Sequence, residues 1–103
     1  MKLAKLEEEI KHIANIYFIS LRHICSNKLS SGEDDVYSPF YRYYSDVEEA
    51  FKRLSIEHKT IINNEYFYDA YKGWWGKFYT EAKFKKAKKN AIKEFVENFY
   101  EIH

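Results

Sequence analysis

The chain has 103 residues, 46% hydrophobic and 19% aromatic, enough for one domain with a modest core. Gly (3) and Pro (1) are scarce, so few tight turns are available and an all-α fold is the default. The formal charge of +1 hides a gradient: residues 1–71 carry nine Lys/Arg against twelve Asp/Glu, whereas residues 72–103 carry eight against four, a basic working end beside an acidic remainder.

The N-terminus, Met1 to Glu9, has acids where a signal peptide needs an apolar run, and no stretch approaches the roughly eighteen apolar residues of a spanning helix. A soluble, cytoplasmic protein with no membrane partner is expected. Leu3, Leu6, Ile10, Ile13 and Tyr17 recur at spacings of 3, 4, 3 and 4. The next seam position is Ser20, and the apolar residue slips to Leu21 before Ile24. Residues 1–25 therefore read as an N-terminal amphipathic helix whose stripe changes phase near its end. That stripe serves either a dimer seam (Leu3, Leu6, Ile10, Ile13, Tyr17, Leu21, Ile24) or packing against its own domain. Ala14, Ile16, Phe18 and Ile19 widen it as a globular helix would, which favours the second. The single cysteine, Cys25, excludes an intrachain disulfide, fits a reducing cytosol and reads as an inert core thiol.

Residues 26–37, with Asn27, Ser30, Ser31, Gly32, Glu33, Asp34 and Asp35, read as an acidic, flexible connector. The remainder, 38–103, reads as a helix-turn-helix domain packed with the N-terminal helix. Ser38-Pro39 looks like an N-cap followed by Pro at the first helical position, and Phe40, Tyr43/Tyr44, Val47, Phe51 and Leu54 keep helical spacing. Ser45 with Glu48 offers an alternative start through a capping box, but one continuous helix is preferred. Ser55 caps the next helix, to about residue 66, with Ile56, Ile61, Ile62 and Tyr66 as candidate buried residues. Asp69 is placed to cap a short helix through Tyr71, Trp74, Trp75 and Phe78, which Gly73 and Gly76 weaken by about 1 kcal/mol each. Thr80 then caps a last helix to about Phe99. The expected architecture is a small bundle of about five helices with a C-terminal helix-turn-helix.

On the last helix, Phe84, Ala91, Ile92, Phe95, Val96 and Phe99 share one face at about 100° per residue. Lys83, Lys86, Asn90 and Lys93 fall opposite, with Lys89 at the edge and Lys85 on the flank. Lys88 lands inside the apolar stripe, where it must snorkel or meet an acid. Lysines 86, 89 and 93 repel one another, and those in the first turns oppose the helix dipole by roughly 0.3–1 kcal/mol each. Phosphates docking on that face remove both penalties, so Thr80, Lys83, Lys85, Lys86, Lys89, Asn90 and Lys93 are the candidate nucleic-acid contacts. Trp74, Trp75, Phe78, Phe84 and Phe95 are the expected core of the motif. The twin tryptophans could instead stack single-stranded bases, but adjacent rings on a short helix are better placed as core.

The run Leu54-Ser55-Ile56-Glu57-His58-Lys59-Thr60-Ile61-Ile62, the aromatic block Tyr66 to Tyr79 and the segment Lys83 to Phe95 follow one another in a helix-turn-helix order. Over residues 40–99 this resembles region four of bacterial sigma factors and short phage- and mycoplasma-type proteins built like it, in which a Leu-Ser-x-Glu helix precedes the motif. The resemblance implies duplex DNA, RNA polymerase or another transcription protein as partner, with the last helix at the major groove. Thr80-Glu81-Ala82-Lys83-Phe84 stands where related proteins have Ser/Thr, and Gly73-Trp74-Trp75-Gly76 replaces their small residues. Lysine dominates the exposed face, so phosphate contact is well supplied and bidentate base reading poorly, which implies low sequence specificity. The other class open to the chain is a helical protein-interaction module, docking or dimerising through the N-terminal stripe. His12, His23, His58 and His103 show no metal spacing, Cys25 has no catalytic partner, and no acid/base pattern appears, so neither a cofactor nor an enzyme is expected.

Overall fold

The computed structural model describes residues 2–30, 38–68 and 70–103, and among these no strand occurs. Four α-helices are present: α1 (Leu3–Ser30), α2 (Pro39–Lys52), α3 (Ile56–Ile62) and α4 (Glu81–Ile102). A π turn, Asn63–Phe67, continues α3, and one 3-10 turn, Trp74–Lys77, stands before α4. The fifth helix, expected around residues 70–77, is thus a four-residue turn. It is entered through Gly73 at φ +83°, a left-handed conformation that favours glycine and breaks any continuous helix. The Asp69 cap expected for it lies outside the described residues.

α1 keeps a single seam along its length. Leu6, Ile10, Ile13 and Ile24 are buried, and Leu3 and Tyr17 pack against the same core. The stripe does not change phase. Position 20 stays on the line through 13, 17 and 24 at 100° per residue, so Ser20 is fully buried and Leu21 only half-buried. The proposed dimer seam is therefore spent inside its own chain, against α2, α4 and the π turn. Cys25, one step round the helix from that line, is exposed and is no core thiol. α1 also runs through Ser30, five residues past the expected boundary. Residues 26–30 extend a helix whose apolar face is already anchored upstream. The rest of the expected connector, 31–37, lies outside the described residues.

The local signals at the other helix starts hold. Ser38 Oγ accepts from the Phe40 amide with Pro39 at the first position of α2, and Ser55 Oγ accepts from the His58 amide at the start of α3. α2 is one helix with Ser45 inside it, burying Val47 and Ala50. α3 does not run on as an α-helix to residue 66. Its ladder widens at Asn63, and the Tyr68 amide reaches back five residues to the Asn63 carbonyl at 2.7 Å. α4 lies across α1, α2 and α3 and buries the six residues read from its spacing: Phe84, Ala91, Ile92, Phe95, Val96 and Phe99. Ile61 and Ile62 of α3 complete that core, while Ile56 is 84% exposed and contributes nothing to it.

Four tyrosines tie the helices together through phenol–carboxylate hydrogen bonds. Tyr17 donates to Glu48 at 2.6 Å, Tyr66 to Glu7 at 3.3 Å, Tyr79 to Glu57 at 2.9 Å and Tyr100 to Glu9 at 2.8 Å. Burial pushes the Tyr43 phenol up to about 12. Burial, aided by the neighbouring carboxylates, also raises Tyr17 and Tyr66. Unfolded phenols ionise near pH 10. Because the folded values lie higher, the stability they contribute is complete below pH 10 and is lost as pH rises from there through about 12. Urea unfolding midpoints measured from neutral to strongly alkaline pH should fall over that window, and Tyr43→Phe should shallow the fall.

Ser20 carries the one buried side-chain polar atom without a hydrogen-bond partner among the described residues. A buried hydroxyl left unpaired costs about 1–3 kcal/mol, and alanine is the better helix former. Ser20→Ala is expected to stabilise the protein by about 1 kcal/mol, raising Tm by roughly 5 °C in a thermal unfolding scan. A lower Tm would show that the hydroxyl is satisfied.

Candidate nucleic-acid interface

The N-terminal end of α4 is fixed by an aromatic clasp. Thr80 Oγ1 accepts from the Lys83 amide at 3.3 Å, capping the helix. Tyr79, just outside the cap, packs on Phe84 at 5.6 Å between ring centroids, a hydrophobic staple across the first turn. Trp75 stacks flat on the same ring at 4.6 Å and 7°, and Trp74 meets it edge-on at 5.7 Å and 90°. Trp74 is buried and Trp75 half-buried, so both tryptophans are core rather than ligand platform. Phe78 is not. It is 73% exposed, because the chain turns at the 3-10 end and gives the inward position to Tyr79 instead.

Lys88 sits among the apolar residues of α4, and acids come to it. Its Nζ lies 2.9 Å from Glu65 of the π turn and 3.5 Å from Glu7 of α1, with the Tyr66 ring at 5.6 Å. Glu7 also accepts from Tyr66, and Glu65 accepts from Trp74 Nε1 at 3.0 Å. One half-buried ammonium thus couples α1, the π turn, the aromatic clasp and α4. The π turn supplies this cluster, since widening the ladder re-aims Glu65 and Tyr66 relative to an ordinary helix. Lys88 is accordingly excluded as a ligand contact.

All seven candidate contacts (Thr80, Lys83, Lys85, Lys86, Lys89, Asn90, Lys93) are exposed. Thr80 spends its hydroxyl oxygen on the cap. Lys85 pairs with Glu81 at 3.3 Å, a solvent-exposed pair of little energetic weight. Among the described residues, Lys83, Lys86, Lys89 and Lys93 have no carboxylate within ion-pair distance. They follow one solvent arc for about 15 Å along the helix, at 1.5 Å per residue. Glu97 and Glu101 end that basic stretch, and Glu94 turns aside to His58 at 2.9 Å. In the first turn Lys83 opposes the helix dipole while Glu81 favours it, and in the last turn Glu101 opposes it. An anion on the lysine arc relieves the first. The arc carries amines and one amide, which grip phosphate oxygens without a bidentate fork for base edges.

Sequence reasoning missed the exposed rings of Tyr68, Tyr71 and Phe78 next to this helix, because spacing alone assigned all three to core or rim. It also missed Glu65 and Glu7 as the partners of Lys88, which only the π turn brings together. No group of three or more His, Cys, Asp or Glu among the described residues could hold a metal ion, and no described helix is long and apolar enough to cross a membrane. Comparison with family models, with curated proteins and with solved structures returns no match.

Removing the ammonium strands two carboxylates at the centre of the fold. Fully buried pairs lose about 3–5 kcal/mol on such a change, and these side chains keep some solvent, so Lys88→Met should cost about 2 kcal/mol in chemical denaturation. Lys88→Met/Glu65→Gln should recover part of that loss. A denaturation midpoint unmoved by Lys88→Met would mean the cluster is ornamental.

Proposed function

We propose that the protein binds nucleic acid, gripping the phosphate backbone with the solvent face of α4. Lys83, Lys86, Lys89 and Lys93 neutralise phosphates, Asn90 and the flanking Lys85 contribute polar contacts, and Thr80 stands at the end where a phosphate can meet the helix N-terminus. The observation that carries this reading is the lysine arc itself, four exposed cations over three helical turns without carboxylate partners among the described residues. Its length corresponds to about four phosphates of one strand at 3.4 Å each. From the resemblance of residues 40–99 to sigma region four, the partner proposed is duplex DNA or RNA polymerase, in transcription. The single 3-10 turn in place of the motif's middle helix argues for backbone gripping over a fixed recognition angle in the major groove.

A second reading, docking of a protein segment, has one observation behind it: an apolar groove of about 240 Å³ between α1, α2 and the π turn, lined by Tyr17, Phe18, Leu21, Val47, Phe51 and Phe67. It takes in Tyr17 and Leu21 of the N-terminal seam, while Leu6, Ile10, Ile13 and Ile24 are buried.

An electrophoretic shift series with random-sequence duplex DNA should give log affinity falling with log salt at a slope of roughly −3 to −5, for four or five phosphates at about 0.9 each. Lys86→Glu/Lys93→Glu should abolish the shift while the helical circular dichroism stays intact. If that double variant binds as tightly as the parent, the phosphate reading fails. A complex insensitive to salt and lost on Phe18→Asp belongs to the groove.

A further inference from the structure

Three rings stand in water at the end of the molecule where α4 begins: Tyr68 is 72% exposed, Tyr71 71% and Phe78 73%. The same segment buries Trp74, stacks Trp75 on Phe84 and turns Tyr79 inward, so it holds three rings within the fold while these three stay out. Phe78 has no polar handle to reward exposure. Tyr71 and Phe78 bracket one hydrogen-bonded turn: the Trp74 amide donates to the Tyr71 carbonyl at 3.2 Å, the Gly76 amide to the Gly73 carbonyl at 3.0 Å, and the Phe78 amide to the Trp75 carbonyl at 2.9 Å. Gly73, at φ +83°, sets the direction of that turn. Both rings therefore sit on a short backbone fixed by its own ladder and by the tryptophans beneath it.

Charge is interleaved with the rings. Lys72 follows Tyr71 and Lys77 precedes Phe78, and both lysines are exposed. Lys72 lines the same groove as Glu65, Glu81, Phe84, Lys85 and Lys88, which places the turn beside the first turns of α4, on the Lys85 flank of the helix. A protein partner matched to exposed rings would meet lysines on either side of them. A strand of nucleic acid meets its own needs at both, since its bases have π faces and its phosphates lie a few ångströms away.

We propose that the turn from Tyr71 to Phe78 is a base-stacking platform, on which unpaired bases of a single-stranded nucleic acid lie against Tyr71 and Phe78 while its backbone continues over Lys72, Lys77 and Lys85 onto α4. This rests on the reading of α4 as a phosphate grip and narrows it to a substrate class. A duplex keeps its base faces covered by neighbouring pairs, so it can use the lysines and not the rings. Single strands gain both, and stacking on aromatic side chains is tolerant of base identity, which agrees with a face poor in bidentate donors.

Fluorescence anisotropy with three probes tests this: a dT oligonucleotide of about 12 nucleotides, within the usual range of a single-strand site, its duplex with dA, and inorganic polyphosphate, which has charge and no bases. The single strand should bind at least about tenfold tighter than the duplex. Tyr71→Ala/Phe78→Ala should weaken it by about tenfold or more, within the range stacking contributes, and leave duplex and polyphosphate binding unchanged. Both residues are exposed, so the circular dichroism should not move. Phe78→Tyr keeps a π face and should bind like the parent, whereas Phe78→Leu keeps only apolar bulk and should lose. Equal affinity for strand and duplex, or a double alanine variant that binds the strand normally, overturns the platform and leaves the phosphate grip standing. Failure of all three probes to bind overturns both.

Discussion

An ammonium on the apolar stripe of a helix needs a carboxylate brought to it, and Lys88 draws two. Glu7 comes from the start of the first long helix and Glu65 from a helical turn widened by one residue per turn. Each acid then also accepts from an aromatic donor, Tyr66 or Trp74, which helps hold the net charge of −1 that two carboxylates leave on one ammonium. Trp74 and Trp75 in turn hold Phe84, and Phe84 with Tyr79 sets where α4 begins. The placement of the exposed lysines thus depends on an inward one. The outward arc is positioned by the same helix rotation that points Lys88 at Glu65.

The fold separates its charges by use. Carboxylates are gathered into the seams, where Glu7, Glu9, Glu48 and Glu57 receive phenols and Asp46 receives the His103 ring. The lysines of α4 between 83 and 93, apart from Lys88, remain in solvent. A chain with a formal charge of +1 can in this way present a concentrated positive arc, which runs from Lys83 to Lys93 before Glu97 and Glu101 end it. Aromatic residues show a similar division. Where a ring has a helix to pack on, it is buried or latched by its hydroxyl. The rings of Tyr71 and Phe78 have neither, and they stand beside the cations.

Much of this was legible in the sequence wherever a residue's role follows from local chemistry or period. Ser38, Ser55 and Thr80 announce their caps, and the six-residue apolar face of α4 follows from 100° steps. Lys88 betrays its need for an acid by falling inside that face. What failed depended on the third dimension. Ser20 looked like a break in the stripe, yet a rigid helix buries whatever residue occupies the seam. Phe78 looked like core because one turn of 3-10 geometry cannot be told from one turn of α-helix by spacing, and the difference decides which of two adjacent rings faces inward. The π turn has no sequence mark at all. Without it, Glu65 could not be read as the partner of Lys88.

The cluster around Lys88 also carries a consequence for the order in which the molecule assembles. α1 can pair with α2 early, since a ribosome delivers both before any of α4. Glu7 and Glu65, however, converge on a nitrogen that arrives more than twenty residues after Glu65. At roughly 5–20 residues per second, α1 waits several seconds for it. Until then the contact between α1 and the π turn brings two carboxylates together with only the Tyr66 phenol and the Trp74 indole to donate to them, which disfavours it. Lys88 turns that like-charge contact into paired ions, so the junction of α1 with the π turn depends on the last helix made.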